Sequence, residues 1–331
     1  MLQSGHIIRS KNLFRMISVL PLVFASFYFN SLTAQTTERL YNHKWEQCDA
    51  ASASFYSLTV KTDSGYYRRD FYIRDAQLQM SGLYLDSICE EKNGYFTFYY
   101  PDGGVKSSGK YANNELDGPW VSYHYNKVRS DSAIYSKGKR TGTSLYWHTN
   151  GTLSDSLYRK DKQTYALVSW FSNAQLSAKG DFAANFDKIG RWDYYHKNGQ
   201  PSGIEYFENG KRVSAQYFDD QGNISQDTSG IIRIASFKGG EKKYRKYLQN
   251  KLHFPKGYKI SNASSASIVV TFTVTEEGKI ENVYTSVPFD HRFDTVVEKV
   301  VKQFPDWIPA KNNNRNISMQ LSLPVKFSNH Q

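Results

Sequence analysis

The strongest constraint on the fold is a repeat of 24 residues in the middle of the chain. A small residue recurs with this period at Gly94, Gly118, Gly142, Ala166 and Gly190. Eight residues after each comes a turn pair, at 102–103, 126–127, 150–151, 174–175 and 198–199, and three of these pairs are Asp-Gly or Asn-Gly. Such dipeptides supply the positive φ angles of a two-residue hairpin turn. A fixed period of this length predicts stacked copies of one small structural unit.

We predict that each unit is a strand, a tight Asn-Gly or Asp-Gly turn, a second strand and a looser turn containing glycine. One hairpin cannot bury its aromatic side chains alone, so neighbouring hairpins should pair into a long antiparallel sheet. Residues 54–60 and 66–73 predict an opening hairpin that caps this array. The predicted boundaries are a signal segment at 1–34, an N-terminal β cap at 35–69, hairpin repeats at 70–228 and a C-terminal domain at 229–331.

Residues 70–222 resemble the MORN repeat family in its bacterial variant, which is also found in YwqK-like antitoxin proteins. The resemblance rests on the glycine, tryptophan and tyrosine that open a unit, as in Gly118, Trp120 and Tyr123, on the Asn-Gly turn, and on a later tyrosine and glycine. It implies a role as a spacer, a protein-binding face or a lipid-binding face. The simplest interpretation of the aromatic residues themselves is that they form the core of the sheet.

Three histidines at one repeat position suggest a metal site but do not fit one. His124, His148 and His196 would lie about 10 Å apart in stacked hairpins. A metal ion needs its nitrogen ligands at about 2 Å, so these residues cannot share one. We therefore predict no metal site. The chain also contains no H-E-x-x-H, C-x-x-C or G-x-S-x-G motif, so we predict no cofactor and no catalytic residue.

Cys48 and Cys89 are the two cysteines of the chain. In an oxidising compartment a disulfide between them would connect the N-terminal cap to the turn after the first repeat. Closing that loop would contribute up to about 4 kcal/mol to stability. We predict this disulfide, and two separate buried thiols are the alternative.

Residues 1–34 have the organisation of a secretory signal peptide. Arg9, Lys11 and Arg15 precede an apolar run at 16–29, and a polar stretch of small residues ends at Ala34. The apolar run is shorter than the ~20 residues that span a bilayer. We expect cleavage after Ala34 and export to the periplasm or cell envelope. An uncleaved segment that anchors the protein in the inner membrane is the alternative.

The net charge of +11 is concentrated near the C-terminus, because the last 96 residues hold 15 basic and 8 acidic residues. A basic balance can indicate nucleic-acid binding, but export makes DNA and RNA unsuitable partners. Acidic protein segments, anionic lipid and cell-wall polymer are left as partners. A basic face that only aids solubility is equally compatible with the composition.

The period changes after residue 229, which predicts a small α+β domain. Residues 241–252 place Tyr244, Tyr247, Leu248 and Leu252 on one face of a helix. Strands are predicted at 268–274, 280–283 and 317–327, and a second helix carries apolar residues from Phe293 to Phe304. The fold class is therefore mainly β plus α+β: an antiparallel hairpin array followed by an αββαβ unit with helices on one face of its sheet.

These C-terminal elements resemble the C-terminal domain of TonB-family proteins. The matching motifs are Phe-Lys-Gly-Gly at 237–240, Phe-Pro at 254–255, the strand pair at 269–283, Pro-Asp-Trp-Ile-Pro-Ala at 305–310 and Leu-Pro-Val-Lys-Phe at 323–327. The resemblance implies a binding module whose last strand pairs with an extended segment, the TonB box of an outer-membrane transporter.

Carried onto this chain, the resemblance predicts a partner-binding edge before Pro324, which lacks a backbone donor. Two nearby cations are predicted to steer an acidic partner. The predicted site consists of Ile317, Ser318, Met319, Gln320, Leu321 and Ser322, with Lys311 and Arg315 as the cations.

We therefore expect an exported, non-catalytic envelope protein of a Gram-negative bacterium that binds a protein segment by strand addition, with the repeats as a spacer. One alternative is an energy transducer anchored in the inner membrane. It would require residues 16–34 to stay uncleaved as the membrane anchor. The resemblance also implies a long proline-rich spacer for such a transducer, and this chain has none. The other alternative is a YwqK-like protein that neutralises a toxin through its repeats.

Overall fold

A single antiparallel sheet of 15 strands, in sequence order from β1 to β15, occupies the first two thirds of the molecule. The structure is a computed structural model that describes residues 35–226, 230–260 and 265–328, so the predicted signal peptide lies outside the described residues. The strands of the sheet are β1 (Thr36–Tyr41), β2 (Phe55–Thr62), β3 (Gly65–Tyr72), β4 (Gln77–Tyr84), β5 (Gly94–Tyr99), β6 (Val105–Ala112), β7 (Glu115–Tyr123), β8 (Arg129–Ser136), β9 (Lys139–Trp147), β10 (Leu153–Arg159), β11 (Thr164–Trp170), β12 (Leu176–Ala183), β13 (Lys188–Tyr195), β14 (Pro201–Glu208) and β15 (Lys211–Tyr217). This architecture confirms the predicted hairpin array.

The two kinds of turn are the reverse of the prediction. At the Asn-Gly turns, and at the equivalent turn Asn126-Lys127, the backbone closes over three residues. In the latter, His124 N–H donates to the Val128 carbonyl, and within the turn Lys127 alone has a positive φ, of 70°. Tight two-residue turns lie at the other end of three hairpins, where Asn113-Asn114, Lys137-Gly138 and Asn209-Gly210 all have positive φ. The loops at 161–163 and 184–186 have three residues. The recurring Asn-Gly pair therefore belongs to a three-residue loop with one left-handed residue.

The glycines that define the period each mark a β-bulge. Gly118, Gly142 and Gly190 have φ between 61° and 86°. Each lies at the point where its strand has two extra residues relative to the preceding strand. In one repeat unit Ala166 takes the place of the glycine. In that unit β10 pairs with β11 without a register shift. Alanine is tolerated there because no positive φ is required.

Aromatic rings pack flat against glycine on the neighbouring strand. A Cβ atom on Gly109 would lie 1.9 Å from the Trp120 ring, and one on Gly180 would lie 2.2 Å from the Trp192 ring. The registers place Gly109 directly opposite Trp120. The rings of Trp120 and Trp192 therefore each need a residue without a side chain beside them.

The repeated histidines connect one hairpin to the next. The Nε2 atoms of His124, His148 and His196 each lie 2.7 to 3.0 Å from a carbonyl oxygen of the following unit. The turn asparagines do the same: Asn126 donates to Thr149 and Asn198 to Asp220, in each case to the backbone oxygen. These residue types recur with the period because they satisfy a backbone acceptor in the neighbouring unit.

The remaining elements form a small α+β domain. They are β16 (Ser236–Phe237), α1 (Gly240–Lys251), β17 (Ser265–Val274), β18 (Ile280–Val287), α2 (His291–Lys302), β19 (Trp307–Ile308), β20 (Ala310–Asn312), β21 (Arg315–Ile317) and β22 (Met319–Ser328). Three strands pair in the order β18, β17, β22. One core joins the sheet to the helices through Ile268, Val270, Phe272, Val297 and Val301, all at most 2 % exposed. This is the predicted αββαβ unit with short strands added.

The predicted disulfide is not formed, because Cys48 and Cys89 are both free thiols. Cys48 follows β1 and its N–H donates to Leu40, whose partner on β2 is Tyr56. Cys89 lies buried beside Thr59, with 3.7 Å between Sγ and Oγ1. Tyr56 and Thr59 are three residues apart on an extended strand, a distance of about 10 Å. The two cysteines, which lie near these residues, are therefore too far apart to form a disulfide.

Candidate protein-binding site

The last strand, β22, lies at the edge of its sheet. Every residue from Met319 to Ser328 has a partner on β17, without a register shift. On its other side β22 has no paired strand among the described residues. A regular edge of ten residues presents a row of unpaired backbone groups that an extended segment can join.

The side chains of β22 alternate between the domain core and the opposite face. Met319, Leu321 and Leu323 pack against the core, whereas Gln320 and Ser322 are exposed. A second strand laid along this edge would have the same alternation. The predicted site residues 319–322 therefore lie on β22, while Ile317 belongs to β21 and Ser318 joins the two strands.

The domain is docked along the repeat sheet. Near the start of the sheet Arg74 Nη1 contacts Asp294 Oδ2 at 2.6 Å, and both side chains are at most 14 % exposed. Further along, the Tyr284 ring stacks on Tyr125, with centroids 4.4 Å apart. Near the end Asn314 donates to the Phe218 carbonyl at 2.7 Å. The domain thus bridges the array from its first turns to its last strand.

A cleft of about 600 Å³ separates the middle of the repeat sheet from the domain. The start of β22, at Ser318, Met319 and Gln320, lines the cleft. Four carboxylates also line it: Asp131 from the repeats, and Glu276, Glu277 and Glu281 from the domain. The predicted binding edge therefore continues into a partly open cleft that four carboxylates line.

The two predicted steering cations have other contacts. Arg315 is 8 % exposed, and its guanidinium lies over the Tyr194 ring at 5.1 Å. Burial lowers the pKa of Arg315 to about 10. Lys311 Nζ lies 3.2 Å from Asn314 Oδ1 in the β20–β21 hairpin. The Arg315 side chain therefore belongs to the contact with the repeat sheet, whereas Lys311 is held within its own hairpin. Sequence reasoning could not reveal either contact.

We expect Arg315→Met to leave the protein as stable as before or to stabilise it by about 1 kcal/mol. The Nε and Nη1 atoms of Arg315 are buried and have no hydrogen-bond partner, so the native residue carries an uncompensated desolvation cost. Equilibrium unfolding in urea measures the change. A loss of more than 2 kcal/mol, with Arg315→Lys as the comparison, would contradict this account.

Comparison with known proteins finds one family model that matches part of this chain. Residues 251–328 match the family described as Gram-negative bacterial TonB protein C-terminal. The C-terminal domain is similar to that of TonB. The match runs from the last residue of α1 to the end of β22 and so includes the edge strand. Domains of this family interact with proteins, and its members are periplasmic or attached to the cell envelope.

No curated protein matches the chain. The resemblance of the repeats to MORN units stays a prediction. Neither helix in the described ranges 35–226, 230–260 and 265–328 has the length and apolar character that a membrane span needs.

Proposed function

We propose that this protein is a non-catalytic component of the cell envelope that binds an extended partner segment by adding it as a strand to β22. The observation that carries the proposal is the regular ten-residue edge of β22 in a domain similar to that of TonB. The partner class suggested by the family is the TonB box of an outer-membrane transporter.

The opposite edge of the same sheet is less suitable. The pairing of β18 with β17 has two register shifts, and Asn282 on β18 has a positive φ of 50°. Bulges twist an edge and discourage further pairing. In addition, Tyr284 of β18 is buried against Tyr100 and Tyr125 of the repeats. These contacts favour β22 as the receiving strand.

The repeat sheet acts in this proposal as a rigid support. Contacts at Arg74, Tyr125 and Phe218 hold the domain at several points, which a flexible spacer would not do. The support fixes the direction from which a partner reaches β22. It also supplies one wall of the cleft at the start of that strand.

Amide hydrogen exchange of the mature protein tests strand addition. The probes are synthetic peptides that correspond to the N-terminal segments of outer-membrane transporters from the same cell. In an antiparallel pair alternate residues of β22 direct their N–H groups to β17, and the others direct theirs outward. We expect the outward amides of 319–328 to exchange at least tenfold more slowly when a peptide is bound.

Strand β1 is an internal control, because it is also an edge strand and lies in the same molecule. Its amides should exchange at the same rate with and without peptide. Protection of β1 or of the repeat turns with no change in β22 would refute the proposal and favour binding through the repeats.

A further inference from the structure

We propose that the segment that pairs with β22 carries a lysine or arginine beside Gln320, and that this cation enters the acidic cleft. The inference rests on the proposed function and names the chemistry of the partner. It differs from the acidic partner predicted from the sequence, because Arg315 is held against Tyr194 of the repeats and Lys311 is held by Asn314 of its own hairpin.

The strand registers define which partner residue faces the cleft. Gln320 pairs with Thr273, and Thr273 pairs with Glu281 on the next strand. Paired residues of a sheet point to the same face, and all three line the cleft. A residue opposite Gln320 on an added strand would extend this row and point into the same space.

The charges around this row favour a cation. Glu276 and Glu277 are already paired with Lys197 of the repeats. Asp131 and Glu281 form no ion pair with any described residue. Lys106 lines the cleft, but it lies over the Tyr100 ring at 5.9 Å, and burial lowers its pKa. A partner lysine or arginine in this cleft would reduce the excess negative charge that the two unpaired carboxylates leave there.

The other face of the added strand has a different requirement. Its residues would lie beside Met319, Leu321 and Leu323, which pack against the domain core. Apolar side chains there would extend that core and lose contact with water. The occupant of β22 is therefore an extended segment that alternates apolar and polar residues, with its cation on the polar face.

Binding of matched peptides to the full-length mature protein tests the inference. The probes are short synthetic peptides that alternate valine and threonine, with lysine, glutamine or glutamate in place of one central threonine. We expect the lysine peptide to bind about fivefold more tightly than the glutamine peptide, and the glutamate peptide more weakly than both. The double variant Asp131→Asn with Glu281→Gln should remove this preference. Glu241→Gln, which changes an exposed acid on α1, should keep it.

The outcomes separate the inference from the proposed function. Equal affinity for the three peptides, with protection of β22 amides, overturns the inference and leaves strand addition in place. No protection of β22 by any peptide overturns strand addition itself. A preference for lysine that survives in the double variant shows that the cation binds elsewhere, and it also overturns the inference.

Discussion

Gly180→Ala is expected to destabilise the repeat sheet by about 3 kcal/mol. The new methyl group would lie 2.2 Å from the Trp192 ring, which is only 2 % exposed. The ring cannot move aside easily, because its Nε1 donates to the Asp181 carbonyl at 3.1 Å. Urea unfolding followed by tryptophan fluorescence and circular dichroism measures the loss.

Two other glycines separate this clash from backbone effects. Gly190 has open space around its Cβ position but a φ of 61°, so Gly190→Ala should cost about 1 kcal/mol through strain alone. Gly230 has open space and no positive φ, so Gly230→Ala should change stability by less than about 0.5 kcal/mol. Equal losses in all three variants would show that the ring contact is not the cause.

Arg74→Met is expected to cost about 3 kcal/mol, because it leaves the buried carboxylate of Asp294 without its cation. The Asp294 side chain is 4 % exposed and also accepts the Phe289 N–H at 3.0 Å. We expect the domain to separate from the first turns of the repeats, with a larger radius of gyration in X-ray scattering. Adding Asp294→Asn to Arg74→Met should restore part of the lost stability.

The control for this pair is Arg245→Met. Arg245 forms an ion pair with Glu241 on α1, but both side chains are more than 65 % exposed. Exposed pairs of this kind contribute less than about 0.5 kcal/mol. A loss as large as that of Arg74→Met would mean that removing any arginine of this protein is harmful.

The cost of Arg74→Met should shrink in acid. Burial already raises the pKa of Asp294 above its ordinary value of 3.8, with the Phe289 N–H and Arg74 opposing the rise. A carboxyl group whose pKa is higher in the folded state destabilises that state as pH rises through the folded pKa. Without Arg74 this pKa rises further, so the difference between variant and native protein should decrease as pH falls from 7 towards 4. A constant difference would contradict this explanation.

The sequence predicted the parts of the fold that leave a periodic signal. The 24-residue spacing of Gly94, Gly118 and Gly142 predicted a hairpin array, since every unit repeats the same local contacts. The apolar stripe from Phe293 to Phe304 predicted α2 for the same reason. The turn types were assigned the wrong way round, because an Asn-Gly pair fits both two-residue and three-residue loops.

Contacts between distant residues could not be predicted in this way. Nothing near Arg74 or Asp294 in the sequence indicates that the two side chains meet. The cleft and the burial of Arg315 depend on the same docking. The edge at 319–322 was accessible through the resemblance to TonB, whereas the acidic surroundings of its first residues required the structure.

The bridging contacts have a consequence for how this chain can evolve. Arrays of identical units commonly gain or lose copies, because each unit contacts only its neighbours. Here one domain of fixed size holds Arg74 at one end of the array and Phe218 at the other. An inserted or deleted hairpin would leave the ladder of histidine and asparagine bonds intact but would break the fit at one end. The C-terminal domain therefore selects the number of hairpins and gives an open-ended repeat a defined length.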